Sequence, residues 1–383
     1  MAASAASKPM ADEYGDMDSS GQTATVESFT LDSGRVLNGV EVRYMTWGLL
    51  TGERDNVIVI CHALTGNADA GSWWGDLIGP GKALDTHRFC VFCSNVLGGC
   101  YGTTGPTSTN PVTGERYGGS FPRVTIRDMV RLQAEVLTKL GVTRIVCVVG
   151  GSMGGMQALE WALEVRTPKV MSIASLSASG RHQPWQIGIS ECQRQAIKAD
   201  PLWKNGDYPA DAPPSTGLSV ARMMAMVTYR THPAYWTKFG RATVQTQQQR
   251  VFDVEHYLRM QGIKFNSRGF DPMSYVVLTE AMDSHDVERA RGSYHDVLRS
   301  VSVPALIVSI SSDVLYPMSE QLELAEYIPQ AQHHLIQSNE GHDGFLLESL
   351  KVGVLLRGFL GHVLPSASGC PQDVNAVGRA SKL

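Results

Sequence analysis

Long apolar runs are missing from this sequence of 383 residues. No stretch approaches the roughly 18 apolar residues that a membrane-spanning helix needs, and no apolar signal-peptide segment follows the first methionine. A strong charge of one sign is missing as well, because 33 Lys and Arg face 37 Asp and Glu and the net charge is -4. Without a clustered basic face, neither nucleic acid nor an anionic membrane is an expected partner. The composition therefore predicts an ordinary globular enzyme that is not secreted.

Cysteine is sparse and forms no disulfide or metal pattern. The seven cysteines are an odd number, and most lie in apolar strand-like runs, which predicts reduced and buried thiols. Cys90 and Cys93 form a C-x-x-C, but alternation along a strand would point them to opposite faces of a sheet. No second cysteine pair or histidine cluster accompanies them, so we expect no metal site.

The two ends of the chain have compositions typical of segments outside a folded domain. Residues 1–24 combine Ala, Ser, Gly and acidic residues without periodicity, which predicts disorder. Residues 363–383, rich in Ser, Gly, Asn and Pro, are predicted to form a flexible tail. The tail ends in Ser381-Lys382-Leu383, the tripeptide that the peroxisomal import receptor binds. Peroxisomal import is therefore predicted, and the cytoplasm otherwise.

A serine flanked by glycines follows one of the apolar runs. The β-branched segment 145–149 leads into Gly150-Gly151-Ser152-Met153-Gly154 and then into helix-forming residues. The pattern G-x-S-x-G is typical of a nucleophile elbow, a sharp strand-to-helix turn that presents the serine oxygen. Glycine-rich loops also occur as plain turns and phosphate cradles, but the preceding strand favours the elbow. Ser152 is thus a candidate nucleophile, and the Met153 N–H at the start of the helix is a candidate oxyanion donor.

Strand-like and helix-like segments alternate along most of the chain. Runs typical of buried strands occupy 56–62, 88–94 and 304–310, whereas 125–140 has an apolar stripe of helical spacing that Gly141 ends. This alternation predicts a mostly parallel central sheet with helices on both faces. Ligands of such sheets bind at the carboxyl ends of the strands.

Residues 181–298 differ from the rest of the chain. They carry Met, Gln, Arg and aromatic residues at helical spacing, several prolines and no convincing strand. The sequence therefore predicts one α/β core, residues 25–180 and 299–362, into which 181–298 is inserted as a helical lid. We call residues 181–298 the lid.

Two further residues complete a candidate catalytic triad. Asp313 follows a buried strand, and His342 lies in the loop between the last strand and the last helix. A serine nucleophile needs a base to take its proton and a carboxylate to orient that base. Asp313 alone would also suit a cap for a helix near Met318. The order Ser152, Asp313, His342, with all three residues at strand ends, is nevertheless the order of an α/β-hydrolase fold.

Several longer motifs carry a resemblance to a known family. From about residue 28 to residue 360 the chain resembles the homoserine O-acetyltransferase family. That family also holds O-succinyltransferases, serine acyltransferases and fungal deacetylcephalosporin C acetyltransferases. The motifs are His62-Ala63-Leu64-Thr65-Gly66, the glycine-rich loop 95–106, the segment 125–130, the elbow 150–157 and Glu340-Gly341-His342-Asp343.

The resemblance implies a two-step, ping-pong reaction without a cofactor, in which acetyl-CoA is the acyl-donor substrate. His342 would deprotonate Ser152, which attacks the thioester, and the backbone N–H groups of Leu64 and Met153 would hold the oxyanion. His342 would then deprotonate the acceptor hydroxyl. The lid would shield the acyl-enzyme from water, which competes with the acceptor.

The resemblance also implies acceptor-binding residues. Arg222 would bind the carboxylate of a hydroxy amino acid and Tyr229, two turns later, would contribute to the same site. Asp343 would bind the acceptor's ammonium, and Arg230 competes with Arg222 for the carboxylate. L-homoserine is the first expectation for the acceptor and L-serine the next. A homodimer through the Met-rich lid helix around 221–227 is implied as well.

Other functions fit part of this pattern. A peroxisomal address is not expected of enzymes that make methionine precursors, so a specialised-metabolite alcohol such as a deacetylcephalosporin is an alternative acceptor. A serine esterase or thioesterase would fit the triad alone equally well, and a catalytically idle binding protein would fit the fold. The residues leave open whether the donor is acetyl-CoA or succinyl-CoA.

Overall fold

The structure, a computed structural model, describes residues 21–247 and 249–364. Within these residues, nine strands form the central sheet in the order β1-β2-β6-β3-β7-β9-β12-β13, with β8 paired to β7. The pairs β1–β2 and β2–β6 are antiparallel, and the other pairs are parallel. The predicted mostly parallel sheet is thereby confirmed. The strands are β1 Gln22–Thr30, β2 Val36–Trp47, β3 Val57–Cys61, β4 Ile78–Gly79, β5 Leu84–Asp85, β6 Cys90–Ser94, β7 Arg144–Gly151, β8 Lys169–Val170, β9 Ile173–Leu176, β10 Thr243–Gln245, β11 Arg250–Phe252, β12 Ala305–Ile310 and β13 Ala331–Ile336.

Helices pack on both faces of the sheet. Along β3, Val57 and Val59 belong to one core with α2 and α3, whereas Ile58 and Ile60 belong to a second core with α12. This split is the alternation expected of a strand buried on both faces. The helices are α1 Ala70–Trp73, α2 Ile126–Lys139, α3 Met153–Glu164, α4 Pro184–Lys198, α5 Ser215–Tyr229, α6 His232–Phe239, α7 Asp253–Ser267, α8 Pro272–Asp283, α9 Tyr294–Arg299, α10 Met318–Tyr327, α11 Gly344–Leu347 and α12 Ser349–Val363, with 3-10 turns at Gly118–Ser120, Lys204–Gly206 and Gly341–Asp343.

The segment predicted as a helical lid contains α4 to α9 between β9 and β12. It also contains a two-stranded antiparallel sheet, β10 with β11, so the expectation that it has no strand is wrong. Each of these strands has three residues, which is too short to produce a readable alternation.

The first strand begins earlier than predicted. Gln22 pairs with Tyr44 and Ala24 with Val42, so the last residues of the segment 1–24 belong to β1. The Tyr44 hydroxyl donates a 2.8 Å hydrogen bond to the side-chain oxygen of Gln22. This long-range pairing was not readable from a polar segment. Val363 is the last residue of α12, so the predicted tail 363–383 overlaps this helix by one residue. Residues 365–383, with the terminal tripeptide, lie outside the described residues.

Most cysteines of the described residues lie where the sequence predicts. Cys61, Cys90, Cys93 and Cys147 are buried and reduced, and burial raises the pKa of each thiol. Cys192 is exposed on α4, which corrects the expectation of burial for that residue. Between residues 21 and 364, Gln248 aside, no helix is long and apolar enough to cross a membrane.

Candidate active site

Ser152 occupies a strained turn between β7 and α3. Its φ is 57°, a left-handed value that a residue with a side chain adopts at a cost. The turn is tight because a Cβ atom at Gly154 would lie 2.0 Å from the carbonyl oxygen of Cys61. The Ser152 N–H donates to the carbonyl of Leu176 on β9, at 2.9 Å. The glycines thus allow the elbow, and the sheet holds it at the carboxyl ends of its strands.

Asp313 and His342 form a buried acid–base pair at the same edge. The Nδ1 atom of His342 lies 2.7 Å from Oδ2 of Asp313. The other carboxylate oxygen, Oδ1, accepts the backbone N–H groups of Leu315 and Tyr316, both at 2.9 Å. Each oxygen of Asp313 therefore has a donor, which fixes the plane of the carboxylate and hence the direction of the imidazole.

The alternative role of Asp313 as a helix cap does not match the structure. Helix α10 begins at Met318 with Pro317 at its N-cap and no side-chain cap. The Asp313 carboxylate instead bonds to residues within its own loop and to His342. This arrangement orients a base and does not start a helix.

The predicted site residues converge on a small cavity between the core and helix α5. It has a volume of about 10 Å³, which is space for about one water molecule. Five of the predicted residues belong to its wall, Met153 follows Ser152 at the first position of α3, and Asp313 contacts the wall through His342. This reaction cavity is lined by Ala63, Leu64, Thr65, Ser152, Tyr229, His342, Asp343 and Phe345.

The oxyanion donors predicted from the sequence lie on two different elements. The first N–H groups of an α-helix have no partner within the helix, and Met153 is the first residue of α3. Leu64 lies in the loop after β3, where Gly66 N–H donates to the Ala63 carbonyl at 2.9 Å. Both residues are therefore at strand ends beside Ser152, as an oxyanion hole requires.

His62 holds this loop, a role that periodicity did not reveal. Its Nε2 accepts the Val96 N–H at 3.2 Å, and its Nδ1 lies 2.8 Å from the Ala63 carbonyl oxygen. Because Nε2 accepts, the proton must be on Nδ1, which donates to Ala63. Burial lowers the pKa of His62 to about 4, so the ring stays neutral and keeps both bonds at neutral pH.

Arg222 lies behind the wall of the reaction cavity. Its side chain is almost fully buried, with 1% of the residue exposed, and its Nη1 is 3.5 Å from the Thr65 hydroxyl. The guanidinium also lies 6.0 Å from the ring centre of Tyr229 and 5.1 Å from that of Phe265. A buried guanidinium this close to the cavity is a strong local positive charge.

Arg230, the competing candidate, is bound to two carboxylates. Its Nε lies 2.7 Å from Oδ2 of Asp343, and its Nη1 lies 2.5 Å from Oε2 of Glu340. The structure thus gives Asp343 an arginine partner that the sequence did not predict. The bond from Arg230 to Glu340 joins the end of α5 to the histidine loop over 110 residues of sequence separation.

A larger cleft opens outside the Arg230 ion pairs. It has a volume of about 690 Å³ and lies between α6 and α7 of the lid and the 339–348 segment of the core. Arg230 and Glu340 line it, so the ion pairs lie between this outer cleft and the reaction cavity. Its wall includes the aromatic residues Trp73, Tyr235, Phe239 and Tyr257 and the cation Lys238.

Among residues 21–247 and 249–364, no three His, Cys, Asp or Glu side chains are close enough to hold an ion.

Known protein sequences match this chain over most of its length. A sequence model of the alpha/beta hydrolase fold family matches residues 56–349. The homoserine O-acetyltransferase of Chlorobium chlorochromatii is 52% identical over 334 residues, which cover 87% of this chain and 93% of that protein. The homoserine O-acetyltransferase of Nostoc punctiforme is also 52% identical, over 86% of this chain and 92% of that protein.

Solved structures are similar over the same region. Homoserine O-acetyltransferase from Bacillus anthracis superposes with a TM-score of 0.80 at 27% identity, over 89% of this chain and 97% of that chain. Esterase E22 superposes with a TM-score of 0.82 at 26% identity, over 89% of this chain and 99% of that chain. The chain therefore belongs to the homoserine O-acetyltransferase family, whose members are acyltransferase enzymes built on the alpha/beta hydrolase fold.

Proposed function

We propose that this protein transfers an acetyl group from acetyl-CoA to the hydroxyl of an amino acid, first L-homoserine and next L-serine, through an acyl-Ser152 intermediate. The observation that carries the proposal is the Asp313–His342 pair, whose carboxylate and imidazole are held at the cavity that Ser152 lines. The relatives named homoserine O-acetyltransferase support the choice of acceptor.

In the first half-reaction, the acetyl group moves from CoA to Ser152. His342 Nε2 takes the Ser152 hydroxyl proton as the oxygen bonds to the thioester carbon. The Leu64 and Met153 N–H groups stabilise the oxyanion. The carbon–sulfur bond then breaks, and the CoA sulfur receives the proton from His342.

In the second half-reaction, the acetyl group moves from Ser152 to the acceptor. His342 takes the proton of the acceptor hydroxyl, whose oxygen attacks the acetyl ester, and the proton then returns to the departing Ser152 oxygen. The reaction cavity of about 10 Å³ is too small for an amino acid, so the lid must move for the acceptor to enter. An acceptor that fills the opened site would displace the water that competes with it for the ester.

A serine esterase is the second candidate, because esterase E22 superposes as well as the transferase does. The two functions differ in their products. With acetyl-CoA and L-homoserine, transfer yields O-acetylhomoserine and CoA release that depends on the amino acid. Release of CoA and acetate at the same rate without any alcohol would favour the esterase.

Arg222 is proposed to bind the acceptor carboxylate, and its replacement tests this. Arg222→Lys keeps the charge but loses the forked geometry that matches a carboxylate. We expect the KM for L-homoserine to rise by about tenfold, the cost of losing one charge-assisted hydrogen bond of the fork. The KM for acetyl-CoA is expected to stay within about twofold. Steady-state kinetics measure both, with Arg259→Lys on the exposed side of α7 as the control. Equal rises in the two KM values would contradict the role.

Asp343 is proposed to bind the acceptor ammonium while it stays paired with Arg230. A carboxylate has two oxygens and about four acceptor positions, so one group can serve both cations. In a closed site, an amino-acid acceptor would place its carboxylate against Arg222 and its ammonium against Asp343. Neither buried charge would then face a neutral group. This charge argument favours homoserine or serine over a deacetylcephalosporin hydroxyl distant from its amino acid group.

The outer cleft is proposed to hold the CoA portion of the donor. Lys238 lies 4.5 Å from the ring centre of Tyr257, and this cation would attract the CoA phosphates. Lys238→Ala is expected to raise the KM for acetyl-CoA by about tenfold, the cost of one charge-assisted bond. The KM for the phosphate-free donor acetyl-N-acetylcysteamine should be unchanged. Lys139→Ala on α2 is the matched control. An equal effect on both donors would exclude phosphate binding by Lys238.

A homodimer is proposed to form through the exposed side of helix α5. Val220, Met224 and Val227 are exposed at helical spacing on α5, which supports a homodimer through the lid. Sedimentation as a monomer at micromolar concentration would contradict it.

The peroxisomal address gains no support from the relatives named above, which are bacterial. Import of a fluorescent fusion with and without its last three residues tests the address.

A further inference from the structure

The loop that carries Asp313 is held by the start of the lid. Three successive residues after Asp313, 314–316, each bond to a side chain from this part of the lid. The Trp185 indole donates to the carbonyl of the first at 2.9 Å, and the Gln186 amide donates to that of the second at 2.8 Å. His182 Nε2 lies 2.8 Å from the hydroxyl of the third. The lid therefore contacts the acid of the triad through its loop as well as covering the cavity.

Tyr316, the third of these residues, contacts both members of the acid–base pair. Its backbone N–H donates to Oδ1 of Asp313 at 2.9 Å. Its ring centre lies 5.1 Å from that of His342, with an angle of 31° between the ring planes. Tyr316 is completely buried, so a displacement of its ring would move the imidazole, the carboxylate or both.

The partner of the Tyr316 hydroxyl is itself fixed by charges within the lid. His182 Nδ1 lies 2.9 Å from Oδ1 of Asp283 at the end of α8. The other oxygen of Asp283 lies 2.7 Å from Nη2 of Arg194 on α4. His182 therefore joins two lid helices to the loop of the catalytic acid.

The proton positions along this connection follow from the donors available. Burial raises the pKa of Tyr316 well above its usual range, so the phenol keeps its proton at neutral pH. Its O–H can then donate to Nε2 of His182, while the Nδ1–H of His182 donates to Asp283. The phenol, the imidazole and the Asp283 carboxylate then each have a partner, which favours a rigid buried network.

We propose that His182 is a positioning residue for the triad: through the Tyr316 hydroxyl it holds the ring and backbone that orient His342 and Asp313. His182 touches neither substrate nor reacting atoms. Because His182 belongs to the lid, the reactivity of Ser152 depends on how the lid packs against the core. This inference rests on the proposed acyl-serine mechanism but not on the identity of donor or acceptor.

The test compares variants at both ends of the His182–Tyr316 bond. Tyr316→Phe removes one oxygen and keeps the ring, and His182→Ala removes the partner. Each is expected to lower kcat, and the labelling rate of Ser152 by a fluorophosphonate, by about tenfold or more, because small misplacements of catalytic groups are costly. The KM values for both substrates should stay within about twofold. The double variant should be no slower than the slower of the two single variants, since both substitutions remove the same bond.

Two further variants separate positioning from general destabilisation. His182→Gln places an amide oxygen where Nε2 accepts, so it should recover most of the rate. Tyr208→Phe removes another buried tyrosine hydroxyl, which donates to Asp271 at 2.8 Å and does not line the reaction cavity, and should leave kcat unchanged. Effects that multiply in the double variant, or no recovery with glutamine, would overturn the proposal. If wild-type Ser152 is not labelled at all, the acyl-serine mechanism itself fails; if all variants label like wild type, only the positioning role fails.

Discussion

Replacing Ser152 with alanine is expected to lower kcat for acetyl transfer by at least about 10⁴-fold, as removal of a serine nucleophile does in other hydrolytic triads. The hydroxyl supplies the oxygen that bonds to the acetyl carbon, and no neighbouring group at the elbow replaces it. Serine and alanine both have a Cβ atom, so the left-handed turn at φ 57° is no more strained in the variant. Thermal unfolding should therefore be nearly unchanged.

A buried serine elsewhere on the sheet is the control for this substitution. Ser172 is fully buried, and its hydroxyl donates to the Val146 carbonyl at 2.7 Å. Ser172→Ala should cost some stability but keep kcat within about twofold of wild type, because the hydroxyl does not line the cavity. Mass spectrometry should first show that the Ser152→Ala sample contains no wild-type protein. If this sample still retained a substantial fraction of the wild-type kcat, Ser152 would not be the nucleophile.

Asp313→Asn is expected to lower kcat by about 10⁴-fold with little change in KM, the result of placing the imidazole in the wrong tautomer. The two backbone N–H groups of Leu315 and Tyr316 would bind the asparagine oxygen, which turns its NH₂ group towards His342. The Nδ1 atom must then accept, so Nε2 carries the proton and cannot take one from Ser152.

The matched control changes a buried carboxylate outside the triad. Asp271 lies 2.6 Å from Arg116 and caps α8, so Asp271→Asn tests the general cost of the same substitution. It should lower the thermal stability and leave kcat close to the wild-type value. Comparable losses of kcat in both variants would indicate that Asp313 supports folding and not the base.

Much of this site was predictable because local patterns and sheet geometry determine it. Ser152, Asp313 and His342 each follow a strand, and parallel strands end at one edge, so their convergence follows from topology. The helix from 125 to 140 was equally readable, since its apolar residues fall on one stripe and Gly141 ends it.

Side-chain partners between distant segments were not predictable. The pairing of Arg230 with Asp343, and the bonds from Trp185 and Gln186 to the loop of Asp313, join residues that are more than 100 positions apart. No periodicity records such a contact, which depends on how the lid packs on the core. The lid strands β10 and β11 were missed for a different reason, their three-residue length.

In the proposed reaction, an acetyl group passes through Ser152 to an amino-acid hydroxyl. Mixing the enzyme with acetyl-CoA alone, followed by rapid quenching and peptide mass spectrometry, measures this most directly. We expect one acetyl group on the peptide that contains Ser152, and its loss on addition of L-homoserine with formation of an equal amount of O-acetylhomoserine. An unmodified Ser152 peptide, or an acetyl group that leaves only as acetate whether or not homoserine is present, would contradict it.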